Sequence, residues 1–314
     1  MNGGDGHRRP LFIAHRSSLI SHLSSSDRLG PVPDRRTGLF YIVIAALLWS
    51  TGGIGIKAVV DAPLKVTFYR SVFATLTLLV LFRRDVTKFR ATPAFFTAIV
   101  SYCACLTAFV VATKWTTAAN AIFLQYAGVV WVMLLAPFVL REPMRRRDVI
   151  AILVALGGMA LFFIGKFEAR GMAGNAMALV SSIFFATMIL ALRRERDASR
   201  AAVIWGNVAL ALVLLPFVAN DLALTTKSLL ALLFLGVFQI GLAYAFFVKG
   251  LQHVTATEAS LTGMIEPVAN PIWVLLFLGE RPSAFAIAGG VVVLAAIAWH
   301  TMQGEPVSEM PPPD

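Results

Sequence analysis

The sequence predicts an all-α integral membrane protein of ten transmembrane helices, arranged as two inverted five-helix repeats. Three observations predict it. Ten apolar stretches, each near twenty residues long, follow one another from 38 to 302 with short polar breaks. Basic residues gather in alternate breaks. Motifs of the first half return in the second half at a fixed offset. A helix rises about 1.5 Å per residue, so about 20 apolar residues cross the ~30 Å hydrocarbon core. In lipid the backbone must satisfy its own hydrogen bonds, so such stretches span as helices.

Composition agrees. The 314 residues are 58% hydrophobic and 14% charged, against about 25% charged in a soluble domain. That leaves no room for a soluble catalytic domain. The net charge of +10 sits in loops and forms no basic groove or sustained basic helix, so no nucleic-acid partner is implied. Membrane lipids are the expected partners of these loops.

The elements follow in order. Residues 1–37 are rich in Arg, Ser, Gly and Pro and read as a disordered cytoplasmic tail. The apolar Leu11–Ile13 stretch is too short for a signal peptide, and Asp5, Asp27 and Asp34 count against a transit peptide. The first repeat, 38–166, holds spans at 38–58, 64–82, 93–113, 118–140 and 148–166. In span one, Trp49, Ser50 and Thr51 precede Gly52, Gly53 and Gly55. The glycines permit close helix approach. Trp49 either packs there or faces the bundle interior to stack on an apolar or aromatic ligand. Arg70 lies about seven residues into span two. A buried guanidinium needs a partner or a route to the interface, and Glu266 is one candidate partner. Span three offers Tyr102, and Cys103 and Cys105. The two cysteines point to nearly opposite sides, so they form neither disulfide nor metal site. Span four offers Asn120, Gln125, Tyr126 and Trp131. Tyr126 and Trp131 lie on different faces, so at least one is ordinary packing.

The second repeat, 167–302, holds spans at 172–192, 201–219, 228–248, 256–278 and 283–302. Asn175, Ser181, Ser182 and Asn207 in spans six and seven are weaker candidates. Gln239 and Tyr244 in span eight either bridge helices or bind ligand. Span nine is the most informative. Glu258, Thr262, Glu266 and Asn270 recur every four residues and so share one face. A polar stripe facing lipid is expensive, so it belongs inside the bundle. Glu266 sits near mid-depth, just before Pro267, which kinks the helix and frees a carbonyl. Such a carboxyl either locks two helices together or belongs to a pathway, binding an amine or exchanging a proton. Glu258, nearer the end, either caps the helix or joins that pathway. Residues 303–314 read as a Pro-rich cytoplasmic tail.

Loop charge sets the orientation. Arg and Lys crowd the N-terminal tail and the segments 83–90, 141–147 and 193–200. The intervening breaks hold only Lys57, Lys65, Lys114, Lys166, Arg170, Lys227 and Arg281. Both termini are therefore expected in the cytoplasm.

An offset of 138 aligns Thr117-Ala118 with Thr255-Ala256, Val130 with Val268, Leu140 with Leu278 and Glu142 with Glu280. Asn120 then aligns with Glu258, placing the pair near opposite mouths. Five spans per half is odd, so the halves face opposite ways, as in many secondary transporters. Gly157-Gly158 and Gly289-Gly290 read as helix-packing seams or a homodimer contact. Glu142-Pro143 and Glu280-Arg281-Pro282 end helices, where a carboxylate opposes the dipole and calls for nearby donors.

These motifs carry a family resemblance. LLWSTGGIGIK at 47–57, FYRSVFATL at 68–76, ANAIFLQYAGVVWVMLLAP at 119–137 and ASLTGMIEPVANPIWVLLFLGERP at 259–282 resemble EamA-type members of the drug/metabolite transporter superfamily. The resemblance covers 38–302. It implies a ten-helix carrier of the bacterial inner (plasma) membrane, both termini cytoplasmic, exporting metabolites or drugs. Many relatives carry Pro where Val129 stands, which implies a straighter span four here.

No phosphate-binding G-x-x-x-x-G-K-[ST] loop, H-E-x-x-H or G-x-S-x-G occurs. No cofactor or metal is implied, and the chain is not read as an enzyme. The expectation is a secondary active exporter with a cavity among spans one, three, four, six, eight and nine. The lining mixes aromatics, amides and carboxyls, so a small amphipathic or zwitterionic substrate is expected, with Glu266 the candidate for proton coupling. The alternatives are a membrane-embedded enzyme acting on lipid-linked substrates, a membrane scaffold, and a sugar-phosphate exchanger. The scarce histidines speak against the enzyme, and the lack of clustered Lys and Arg within the spans speaks against the exchanger.

Overall fold

Helices start where short polar side chains can take the first orphan amides. Asp34 accepts from the Arg36 and Thr37 amides. Thr92, Thr117, Thr225, Thr255 and Ser283 each accept from the amide three residues on. Pro63 and Pro93 open their helices, where a missing N–H costs nothing.

The computed structural model describes residues 34–162, 164, 171–279 and 283–303. Span one folds as α1 (Arg35–Trp49) and α2 (Gly52–Ala58), and span two as α3 (Pro63–Phe82). Span three is α4 (Pro93–Trp115), and span four is α5 (Ala118–Gln125) plus α6 (Gly128–Val139). Span five is α7 (Arg146–Phe162), span six α8 (Met172–Arg194) and span seven α9 (Ser199–Val218). Span eight is α10 (Thr226–Phe234), a π-helical segment (Leu235–Leu242) and α11 (Ala243–Gly250). Span nine is α12 (Ala256–Gly263) plus α13 (Ile265–Leu278), and span ten is α14 (Ala284–Met302).

Asp34–Thr37 is therefore a capped helix start rather than tail, because Asp34 fixes it. The tail readings for 1–33 and 304–314 lie outside the described residues, as do Lys166, Arg170 and Glu280-Arg281-Pro282.

Eight of these rods are long and apolar enough to cross a membrane: spans one to four, six to eight and ten. Their outer faces carry large apolar side chains such as Phe40, Val80, Phe138 and Phe217. Such a coat suits lipid rather than water. Inside, two apolar clusters form. One gathers Ile42, Trp49, Leu78, Tyr102, Ile189 and Tyr244. The other gathers Ile56, Val110, Ile122, Tyr126, Ile152 and Leu261.

Spans four and nine are both interrupted, and the breaks fall in register. Tyr126 ends α5 at φ −71°, ψ −4°, and Met264 ends α12 at φ −64°, ψ −3°. These residues are 138 apart. Val129 in place of proline therefore does not straighten span four. There the chain tightens instead. The Ala127 amide donates to Leu124 O and the Val129 amide to Tyr126 O, both three residues back. Close packing fixes the spot, since a Cβ on Gly128 would stand 2.8 Å from Ser182 O.

The glycine seam joins α7 to α14 within one chain. A Cβ at Gly158 would lie 2.9 Å from Gly289 O, whereas one at Gly157 meets nothing within 4 Å. Gly158→Val is expected to cost about 1–3 kcal/mol by overpacking, with Gly157→Ala near neutral. Thermal melting in detergent reads both. A wild-type melt for Gly158→Val would reject the seam.

Candidate functional site

The two breaks meet at one hydroxyl. Pro267 has no N–H, so Gly263 O, four residues back, loses its helical donor. Tyr126 Oη, from the break in span four, lies 2.6 Å from that oxygen and 2.9 Å from Glu266 Oε2. A phenol has one proton to give, and a carbonyl can only accept. With the proton on Gly263 O, the Tyr126 oxygen accepts from Glu266 when the carboxyl carries its own proton. An ionised Glu266 instead competes with Gly263 O for the same proton. Glu266 is buried, and among the described residues no cation lies within ion-pair distance of it.

Arg70 is not the partner of Glu266. Its Nη2 donates to Gln239 Oε1 at 2.5 Å, because α3 packs against the π-helical segment and not against α13. Gln239 Nε2 in turn lies 3.5 Å from Trp49 O. A Cβ on Gly52 would stand 2.6 Å from that nitrogen, so only glycine leaves it room. Trp49 faces the interior and meets Tyr244 edge-on at 5.1 Å, and Tyr244 meets Tyr102 at 4.8 Å. Span two, absent from the predicted cavity, thus contributes a central charge.

Other expected residues are held by neighbours. Gln125 Nε2 donates to Ser181 Oγ at 2.8 Å, and Ser181 Oγ to Cys105 O at 3.1 Å. Asn207 Nδ2 donates to Tyr102 Oη at 2.7 Å. Ser50 Oγ accepts from Trp273 Nε1 at 2.7 Å, a partner sequence reasoning missed. Thr262 is buried on the same helix as Glu258, and Asn270 is half-buried beside Gly53. Trp131 is exposed on the outer face, so Tyr126 is the interior member of that pair. Cys103 and Cys105 are free thiols.

Asn120 and Glu258 lie apart from this centre. Asn120 Nδ2 donates to Asn175 Oδ1 at 3.2 Å, joining the starts of α5 and α8. Glu258 completes a capping box with Thr255 and accepts from Arg35 Nε at 2.8 Å, joining the starts of α12 and α1. Nearby, Glu142 accepts from Arg193 Nε at 2.8 Å and from the Ala256 amide at 2.9 Å. Two of the donors it needs thus come from span six and span nine. His300 Nε2 lies 2.7 Å from Asp148 Oδ1, tying span ten to span five. Where span one ends, Lys65 holds Asp61 and Asp221 at 3.0 Å each. Burial pushes the Asp61 carboxyl up, but bonds from Ser228 and Lys65 outweigh it and leave the group below its ordinary range.

The EamA-like transporter family matches this sequence twice, at residues 36–164 and 172–302. The chain belongs to the EamA-like transporter family. Pseudopaline exporter CntI of Pseudomonas aeruginosa is 27% identical over 271 residues, covering 83% of this chain and 94% of its own. An uncharacterized transporter of Archaeoglobus fulgidus is 26% identical over 274 residues, covering 84% of this chain and 97% of its own. One solved crystal structure shares the fold, with a TM-score of 0.74 at 16% identity over 86% of this chain and 98% of that one. As an EamA-like transporter with these apolar rods, the protein is an integral membrane transporter for a small molecule.

Proposed function

We propose that this EamA-like transporter is a secondary active exporter, moving a small amphipathic or zwitterionic metabolite or drug outward by alternating access. A proton enters in exchange, carried by Glu266. The observation behind this reading is the Tyr126–Gly263–Glu266 junction, where two register-matched breaks share one hydroxyl beside a buried carboxyl that has no counter-charge among the described residues. A proton or a cationic substrate group supplies the missing balance. The outward direction draws on the relative named as an exporter.

In this reading the protein crosses the bacterial inner membrane ten times, with both termini cytoplasmic. Span five, and span nine across its break, add to the eight apolar rods. The domains are two inverted halves, 38–166 and 167–302. Inversion relates span one to span six and span four to span nine. The Asn120–Asn175 contact is then the counterpart of Glu258–Arg35 at the opposite face. Both are closures of a mouth, neutral outside and ionic inside. Trp49, Ser50, Tyr102, Gln125, Gln239, Tyr244, Thr262 and Asn270 line the path between them.

The activity is tested by comparing extracellular metabolites with and without the gene, then reconstituting flux of each hit. Absence of any differing solute and of any flux would end the reading. The inner closure has its own test. Arg35→Glu sets two carboxylates face to face and is expected to raise maleimide labelling of a cysteine placed at Ser260, in a background lacking Cys103 and Cys105. Adding Glu258→Arg is expected to restore the slow rate. Equal labelling in all three chains would reject the closure.

A further inference from the structure

Arg70 is nearly sealed from solvent, at 2% exposure, and among the described residues no carboxylate lies within ion-pair distance of it. Its one side-chain bond runs to the Gln239 amide, and its Nε has no partner. A guanidinium carries five N–H donors in a planar fork. Burying that charge without a counter-ion is costly by several kcal/mol. An amide oxygen returns only part of what water gave.

The surroundings are built rather than incidental. Gln239 sits inside the π-helical segment Leu235–Leu242, a rare geometry that recurs at functional sites. The close approach depends on missing side chains, since a Cβ on Gly236 would stand 2.9 Å from Arg70 O. Gln239, the partner of Arg70, also reaches Trp49 O, and the Trp49 ring packs on Tyr244, which packs on Tyr102. Glu266, a second buried ionisable group with no opposite charge within ion-pair distance among the described residues, lies on α13, whose Asn270 stands beside Gly53, next to the Gly52 that packs on Gln239. Arg70 and Glu266, opposite in sign when ionised, find no partner of opposite charge within ion-pair distance among the described residues. They are two poles waiting for one ligand.

Resting on the transporter reading above, we infer that Arg70 and Gln239 form a carboxylate-binding subsite. Together with Glu266 they select a small molecule bearing one carboxylate and one ammonium group. The planar fork takes the carboxylate in two parallel hydrogen bonds. Its single charge matches one carboxylate better than a phosphate dianion. The ligand's ammonium replaces the proton on Glu266, and its apolar body lies along Trp49 and Tyr244.

The test loads proteoliposomes of the purified full chain with a soluble metabolite extract of bacterial cells and identifies exported compounds by mass spectrometry. Compounds bearing both groups are expected. For each hit, the amide that lacks the carboxylate is expected to move at least tenfold more slowly in wild type. That preference should fall to about onefold in Arg70→Gln and survive in part in Arg70→Lys. Comparison of acid and amide on wild type needs no variant to fold. Export confined to compounds without a carboxylate, or equal rates for acid and amide, would overturn the subsite while leaving a transporter. Export of nothing in the extract would overturn the transporter reading and the subsite with it.

Discussion

Glu266→Gln is expected to give a folded carrier whose flux ignores a pH gradient. The glutamine amide can donate to the Tyr126 oxygen as a protonated carboxyl does, so the junction with Gly263 O stays satisfied. It cannot release a proton. One proton moving down a gradient of one pH unit supplies about 1.4 kcal/mol, enough for about a tenfold concentration ratio of substrate. Wild-type proteoliposomes should reach that ratio, and the variant should stop at equal concentrations. Melting temperature serves as the control, since the variant should unfold where wild type does. An equal gradient response in both proteins would remove Glu266 from the coupling role.

Glu142→Ala is expected to be the most damaging single change to the fold. It strands Arg193, which is buried and otherwise bonded to Leu251 O, and it strips the Ala256 amide of its acceptor at the start of α12. Breaking a buried ion pair from one side costs about 3–5 kcal/mol, because the remaining charge stays buried. A buried amide left unbonded adds about 1–3 kcal/mol. Denaturant unfolding in detergent reads the loss. Glu142→Met with Arg193→Met should recover most of the ion-pair part but not the amide part. A loss below about 1 kcal/mol for Glu142→Ala would show that Arg193 finds another acceptor.

Much of this was legible in the chain. Apolar runs placed the rods, because they depend on residues adjacent in sequence. Glu266 beside Pro267 stood out because a carboxyl and a lost amide both conflict with lipid. The repeat at 138 aligned spans four and nine, yet Val129 pointed away from a break in span four. Proline is one way to interrupt a helix; tight packing of Gly128 against Ser182 O is another, and it leaves no mark in one sequence. The partner of Arg70 was equally hidden. Whether an arginine in span two meets Glu266 or Gln239 depends on how two rods are rotated about their own axes. The π-helical segment of span eight shifts that rotation, and no periodicity in LGVFQIGL announces it.

The shared phenol has a mechanical consequence. Because the elbow of one half is bolted to the elbow of the other through Tyr126, neither can swing without pulling on its mate. In the proposed exporter such a linkage would act as a see-saw rather than as two flaps. Under the proposed alternating access, simultaneous opening at both ends, a leak that would short-circuit an ion gradient, would require that pin to break first.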